Sequence, residues 1–244
     1  MLDTVALRSR LADIRSRIER AAGRAGRDPS SIRLVAISKT FSAEYVRALA
    51  GAGQLDFGEN KVQEALQKMD ETSDLSLRWH LVGHLQSNKA KKAVRFDVTH
   101  AIDSPSLLQK LDEAVHAAGR RMDLLVQVDL AGEPTKHGAR EDELQAIFDA
   151  GRSARATRLV GLMLLPPAVE DPDAVRPYFR MLRDVRDRLL ARGVADSMLH
   201  ELSMGMSHDF EAAIEEGATL VRVGTALFGG RTGSQTPASS PGGV

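Results

Sequence analysis

The chain contains no cysteine, which removes disulfides, thiolate metal sites and cysteine nucleophiles from its available chemistry. It also lacks an excess of charge of either sign. Lys plus Arg total 33 and Asp plus Glu total 33, so the formal net charge is zero. Proteins that grip nucleic acid through many phosphates carry a basic excess or a basic stripe. The densest basic run, Lys89-Ala90-Lys91-Lys92 followed by Arg95, is short and reads as a solvated helix face. No apolar run is long enough to span a bilayer. Arg8, Arg10, Arg15 and Arg17 interrupt the N-terminal stretch, so it has no signal-peptide core. A soluble, cytoplasmic protein that binds neither nucleic acid nor membrane is the expectation.

What is present is apolar patterning: 43% of the 244 residues are hydrophobic, enough for one well-buried core. From about residue 4 to 25, Leu7, Leu11, Ile14 and Ile18 recur at three- and four-residue spacing, the stripe of an amphipathic helix. Two textures then alternate. Short β-rich runs fall at 32–37, 55–57, 78–82, 98–102, 124–128, 159–165, 198–202 and 220–223. Helical stretches fall between them at 43–50, 61–69, 88–94, 105–118, 141–154, 172–191 and 207–215. Ser42, Ser104 and Ser207 offer N-cap hydroxyls, and Gly119, Gly193 and Gly217 stand where helices should end. Eight strands separated by helices imply a parallel sheet built by right-handed crossovers. An open doubly wound sheet uses the same alternation, but eight units in this length favour a single (β/α)8 barrel with an extra N-terminal helix. Residues 1–231 are expected to form that domain, and the Gly-, Pro- and Ser-rich stretch 232–244 a disordered tail.

Barrels of this type carry function at the C-terminal ends of their strands. There the sequence places Lys39, Glu59-Asn60, His84, Asp129, the run Ser203-Met204-Gly205-Met206-Ser207, and Arg222-Val223-Gly224-Thr225. A lysine leaving an apolar strand has its charged form disfavoured, and a neutral amine forms a Schiff base with an aldehyde. A lone lysine more often snorkels to solvent. Here it has company: Gly224-Thr225 opens a short helical stretch whose N–H groups favour an anion, with Ser203 and Ser207 adding hydroxyls. Ser207 reads almost equally well as a helix cap. A lysine beside a phosphate cradle is the minimum equipment for a phosphorylated aldehyde such as pyridoxal phosphate. Metal binding reads poorly. His80 and His84 leave a strand, Asp129, Glu133, Lys136 and His137 read as a solvated rim, and Met163, Met204 and Met206 read as core filling.

At these residues the chain resembles the pyridoxal phosphate homeostasis proteins. The matching segments are Leu34-Val35-Ala36-Ile37-Ser38-Lys39-Thr40, Phe57-Gly58-Glu59-Asn60-Lys61-Val62-Gln63-Glu64, Trp79-His80-Leu81-Val82-Gly83-His84-Leu85-Gln86-Ser87-Asn88-Lys89, Gly161-Leu162-Met163, and the long run from 202 to 231. The resemblance implies a monomeric barrel like the N-terminal domain of alanine racemase, with pyridoxal 5′-phosphate as an internal aldimine on Lys39. It implies further that Ser203, Ser207, Gly224 and Thr225 hold the phosphate, that Arg222 faces the pyridine nitrogen, and that Asn60 lies near the cofactor. His208 stands where an acidic residue is familiar. A non-catalytic carrier that passes its cofactor to apoenzymes is the leading expectation. A pyridoxal phosphate-dependent racemase is the alternative, although Tyr45 and Tyr178 both fall in helical stretches, where neither is a convincing second base.

Overall fold

The computed structural model describes residues 2–130, 132, 137–167 and 171–230; the expected tail at 232–244 and Lys136 lie outside them. Eight strands, β1 (Arg33–Ile37), β2 (Asp56–Glu59), β3 (Arg78–Leu81), β4 (Val98–Ile102), β5 (Met122–Val128), β6 (Thr157–Leu164), β7 (Glu201–Ser203) and β8 (Leu220–Val223), follow one another in order around a closed barrel. All pairings are parallel, and β1 closes on β8 with Val35 opposite Arg222 and Ala36 opposite Val223. Helices α2 (Ala43–Ala50), α3 (Val62–Glu71), α4 (Ala90–Ala93), α5 (Pro105–Ala117), α6 (Leu144–Gly151), α7 (Arg176–Ala191) and α8 (Phe210–Glu215) form the crossovers, and α9 (Thr225–Phe228) follows the last strand.

The strand sequences alternate between two cores. Leu34 and Ala36 face outward into the layer beneath the helices, while Val35 and Ile37 face inward with Val82, Val98, Leu125, Val160, Met163 and Leu220. This period of two lets one strand feed both layers. The extra helix α1 (Thr4–Arg24) buries Leu7, Leu11, Ile14 and Ile18, as its spacing predicts. Asp3 caps it by accepting the Ala6 N–H at 2.9 Å. It packs on α2, α8 and α9 and so covers the seam where β8 meets β1. Arg17 pairs with Glu211 at 3.1 Å and lies 4.6 Å over the Phe210 ring.

Several expectations differ in detail. The seventh strand is 201–203 rather than 198–202, because Asp196–Met198 winds into a 3-10 turn first. Of the expected caps, Ser104 accepts the Leu107 N–H at 3.3 Å, whereas Ser42 makes no side-chain capping bond and Ser207 does not cap α8. No described helix is long and apolar enough to cross a membrane.

Candidate functional site

Every strand delivers its chain to the same mouth, and there a cavity of about 460 Å³ opens. Lys39, Asn60, Ser207, Arg222, Gly224 and Thr225 all line it, with His84, Gln127, His137 and Met206. Six of the seven residues singled out as ligand-binding therefore come together.

Ser203 is the exception. It is fully buried and does not line the cavity. The reason is strand geometry: Ser203 is the last residue of β7 and points into the barrel, whereas Ser207 lies beyond the strand end. Its hydroxyl accepts from Arg222 Nη1 at 2.6 Å and contacts His100 Nδ1 at 2.8 Å. Leu164 O takes Arg222 Nη2 at 2.8 Å. Ser203 is thus a support beneath Arg222.

That support continues down the barrel. His100 Nε2 lies 3.0 Å from His80 Nδ1, and His80 Nε2 lies 2.9 Å from Asp56 Oδ1. Arginine can only donate and a carboxylate only accept, which fixes the two ends of the line: Arg222 donates to Ser203, and His80 donates to Asp56. With both imidazoles neutral, the state their lowered pKa values favour, His100 donates to His80 and Ser203 donates to His100. Burial lowers the pKa of both His80 and His100, that of His100 strongly, and Asp56 only partly opposes this for His80. Burial also lowers Arg222 to about 10, with Asp209 acting against it. Sequence reasoning weighed His80 as a poor metal ligand leaving a strand and missed His100 altogether. The available signal was a histidine inside the otherwise uncharged strand Val98–Ile102.

On the β8 side, Ser207 Oγ accepts the N–H groups of Gly224 and Ala226, both at 3.2 Å. Two convergent amides at the start of α9 make a nest suited to an oxygen anion. Gly205 lets the preceding loop fold back: its φ is +89°, and a Cβ there would fall 2.6 Å from Ala213 Cβ. Asp209 accepts the Met206 N–H at 2.5 Å, so an acid next to His208 secures this loop. Across the mouth, His84 and His137 stack with ring centroids 3.6 Å apart. Burial lowers the His84 pKa, and His137 adds to that. Tyr45 packs on Phe41 and Phe228 instead, and neither it nor Tyr178 lines the cavity. Met163 lies in the barrel interior and Met204 in the outer core, as filling, while Met206 reaches the cavity.

The donor set fits a ligand with a carbonyl at one end and an anion at the other. An amine stands at the end of β1, neutral and hydroxyl donors lie at β7–β8, and a fixed guanidinium stands between them. Among the described residues no group of His, Asp and Glu could hold a metal ion.

Comparison with known proteins agrees with this chemistry. The family model for the alanine racemase N-terminal domain matches residues 9–232. A pyridoxal phosphate homeostasis protein of Pseudomonas aeruginosa is 43% identical over 222 residues, covering 91% of this chain and 94% of that protein. One from Aquifex aeolicus is 41% identical over 223 residues, covering 91% and 97%. PipY of Synechococcus elongatus, solved with PLP bound, superposes with a TM-score of 0.81 at 39% identity, covering 91% of this chain and 100% of that one.

Proposed function

Because the chain belongs to the pyridoxal phosphate homeostasis family, within the alanine racemase N-terminal domain class, we propose that it holds pyridoxal 5′-phosphate on Lys39 and maintains the intracellular supply of that cofactor. The observation that carries this reading is that one cavity is lined by Lys39, Arg222, Ser207, Gly224 and Thr225, with the Gly224 and Ala226 amides converging on Ser207 Oγ. The Lys39 amine forms a carbon–nitrogen bond to the aldehyde carbon, the carbonyl oxygen leaves as water, and hydrolysis reverses the step with no oxidant or reductant. Ser207, Thr225 and the Gly224 N–H receive the phosphate, and Asn60 lies at the rim. Arg222 faces the pyridine nitrogen. When bound, the cofactor supplies an electrophilic carbon and an electron sink. A guanidinium fixed beside the ring nitrogen disfavours its protonation and so weakens that sink.

This arrangement supports a carrier in preference to an enzyme, one that works as a cytoplasmic monomer and releases its cofactor to apoenzymes. Racemisation needs a base on each face of the substrate carbon, and neither tyrosine lines the cavity. His84 and His137 do line it, and they make a racemase the second reading. The test uses the purified chain loaded with pyridoxal phosphate. Borohydride should move its absorption band, peptide mass mapping should find the pyridoxyl group on Lys39, and the Lys39→Ala variant should carry none. A label found mainly on Lys61 would overturn the assignment. In D2O with L-alanine the loaded protein should transfer cofactor to an apoenzyme without enzyme-like turnover; rates within roughly 1–10³ s⁻¹ would make it a racemase.

A further inference from the structure

Three charged side chains that line no part of the cavity are bonded to both neighbours of Lys39. Lys68, on α3 and only 5% exposed, donates to Glu59 Oε1 at 2.6 Å, to Glu64 Oε1 at 2.9 Å and to the Ser38 carbonyl at 2.8 Å. All three of its N–H donors are thereby used. Ser38 Oγ donates to the same Glu59 oxygen at 2.6 Å, and the Thr40 N–H donates to Glu64 Oε1 at 2.6 Å. Lys39 is the one residue of this segment left out of the cluster, and its side chain turns to the cavity.

Two features separate this cluster from an ordinary ion pair. Thr40 has φ +71°, the only non-glycine residue with positive φ among those described. A β-branched residue there is strained and persists only where its surroundings over-determine it; the bond from its N–H to Glu64 is one such restraint. In addition, Glu59 Oε2 is buried with no hydrogen-bond partner, so this carboxylate commits one oxygen to two donors and leaves the other unpaired. Burial pushes Glu59 above the ordinary carboxylate range despite Lys68 and Ser38. A buried ion pair is poor evidence of stabilisation, since well-packed apolar residues often serve a fold as well. Apolar residues could not, however, bond the Ser38 carbonyl, the Ser38 hydroxyl and the Thr40 N–H.

We propose that Glu59, Glu64 and Lys68 are positioning residues that clamp the backbone on both sides of Lys39, aiming its amine across the cavity while holding the second amine, Lys68, out of reaction. The inference rests on the reading of Lys39 as the cofactor-bearing lysine. It predicts that the clamp acts on bond formation and not on ligand binding as such. Pyridoxamine 5′-phosphate provides the contrast, because it carries an amine in place of the aldehyde and cannot react with a lysine.

The experiment compares the full-length apoprotein with its Glu64→Gln and Lys68→Met variants. Capture of pyridoxal phosphate is followed by absorbance, affinity for pyridoxamine phosphate by calorimetry, and the labelled lysine by borohydride trapping and mass mapping. Glu64→Gln should slow capture by about tenfold or more, a modest fraction of what a 1 Å misplacement can do, with pyridoxamine phosphate affinity within about twofold. Equal capture rates, or equal losses for both ligands, would overturn the clamp. Lys68→Met leaves a buried carboxylate without its partner and is the variant at risk of misfolding. Glu64 is partly exposed, so its substitution keeps the proposal testable. Wild-type protein trapped on a lysine other than Lys39 would overturn both the clamp and the carrier reading. Label on Lys39 with unaltered variant kinetics would overturn the clamp alone.

Discussion

At the β1–β2 edge of the cavity the backbone around Lys39 is held by charged side chains, whereas at the β7–β8 edge the amides of Gly224 and Ala226 are held by a neutral hydroxyl, with Asp209 tied to the adjoining Met206 N–H. The first set of bonds is short, 2.6–2.9 Å between Lys68, Glu59, Glu64 and the Ser38–Thr40 segment. The second is longer, 3.2 Å from each of two N–H groups to the Ser207 hydroxyl. Charge-assisted bonds are shorter and roughly twice as strong as neutral ones. The difference matches the two tasks. A group that must form a covalent bond needs one fixed direction. An anion site needs donors that can exchange one oxygen acceptor for another without reorganising the chain, and a serine hydroxyl sharing two amides does this. Arg222, between the edges, combines the two: it is a charge, but its anchors are a hydroxyl and a carbonyl.

The comparison breaks first under loss of charge. Lys68→Met should destabilise the chain by about 3–5 kcal/mol, because it strands a buried carboxylate; urea denaturation measures this. A loss below about 1 kcal/mol would mean that Glu59 simply takes up a proton and the charged edge is not special. Gly205→Ala should come next, at about 1–3 kcal/mol for a strained backbone. Its Cβ would meet Ala213 Cβ at 2.6 Å and Phe210 Cα at 2.9 Å, and backbone cannot yield as a side chain can. Ser207→Ala and Thr225→Ala should cost little stability but weaken retention of pyridoxal phosphate. Charge-assisted bonds worth roughly 1.5–3 kcal/mol correspond to about one to two factors of ten. Pyridoxal without its phosphate should be almost indifferent to both changes, as measured by equilibrium dialysis. Equal losses for the two ligands would show that this edge only holds the fold.

The neutral edge was the more legible in the sequence. Glycine-threonine after a β-branched strand is a local signal, whereas at the other edge only Lys39 itself, two residues past Leu34-Val35-Ala36-Ile37, gave one. The charged edge was not. Glu59, Glu64 and Lys68 lie inside recognisable segments, but nothing local shows that a glutamate ends a strand fully buried, and the second strand reads as 55–57 when it runs to Glu59. Ser203 and Ser207 look alike in sequence; only the strand's end between them sends one inward and leaves the other at the mouth. The line from Arg222 to Asp56 draws on β8, β7, β4, β3 and β2. Contacts that each join different strands leave no periodic trace in any one of them.

The smallest effect concerns acid, and its sign differs for the two carboxylates of the clamp. Burial works to raise the Glu64 pKa, but the bonds from Lys68 and the Thr40 N–H outweigh it and hold Glu64 below its ordinary value. A carboxyl depressed in the fold contributes stability that is present above its unfolded pKa and is lost as pH falls through the folded one. Glu59 is raised by burial, so its contribution is greatest below the unfolded value and is lost as pH rises through the folded one. The two dependences oppose each other, and the net slope at the charged edge should be shallow. Glutamine at position 64 removes only the acid-labile half. The stability difference between wild type and Glu64→Gln, measured by denaturation at a series of pH values, should therefore be present at pH 7 and shrink below about pH 4.3, the ordinary glutamate value. Ser207→Ala, which removes no titrating group, should show a difference from wild type that is flat across the same range. A constant difference for Glu64→Gln would mean that its carboxylate charge is not what holds the Thr40 N–H, and that the two edges are held alike.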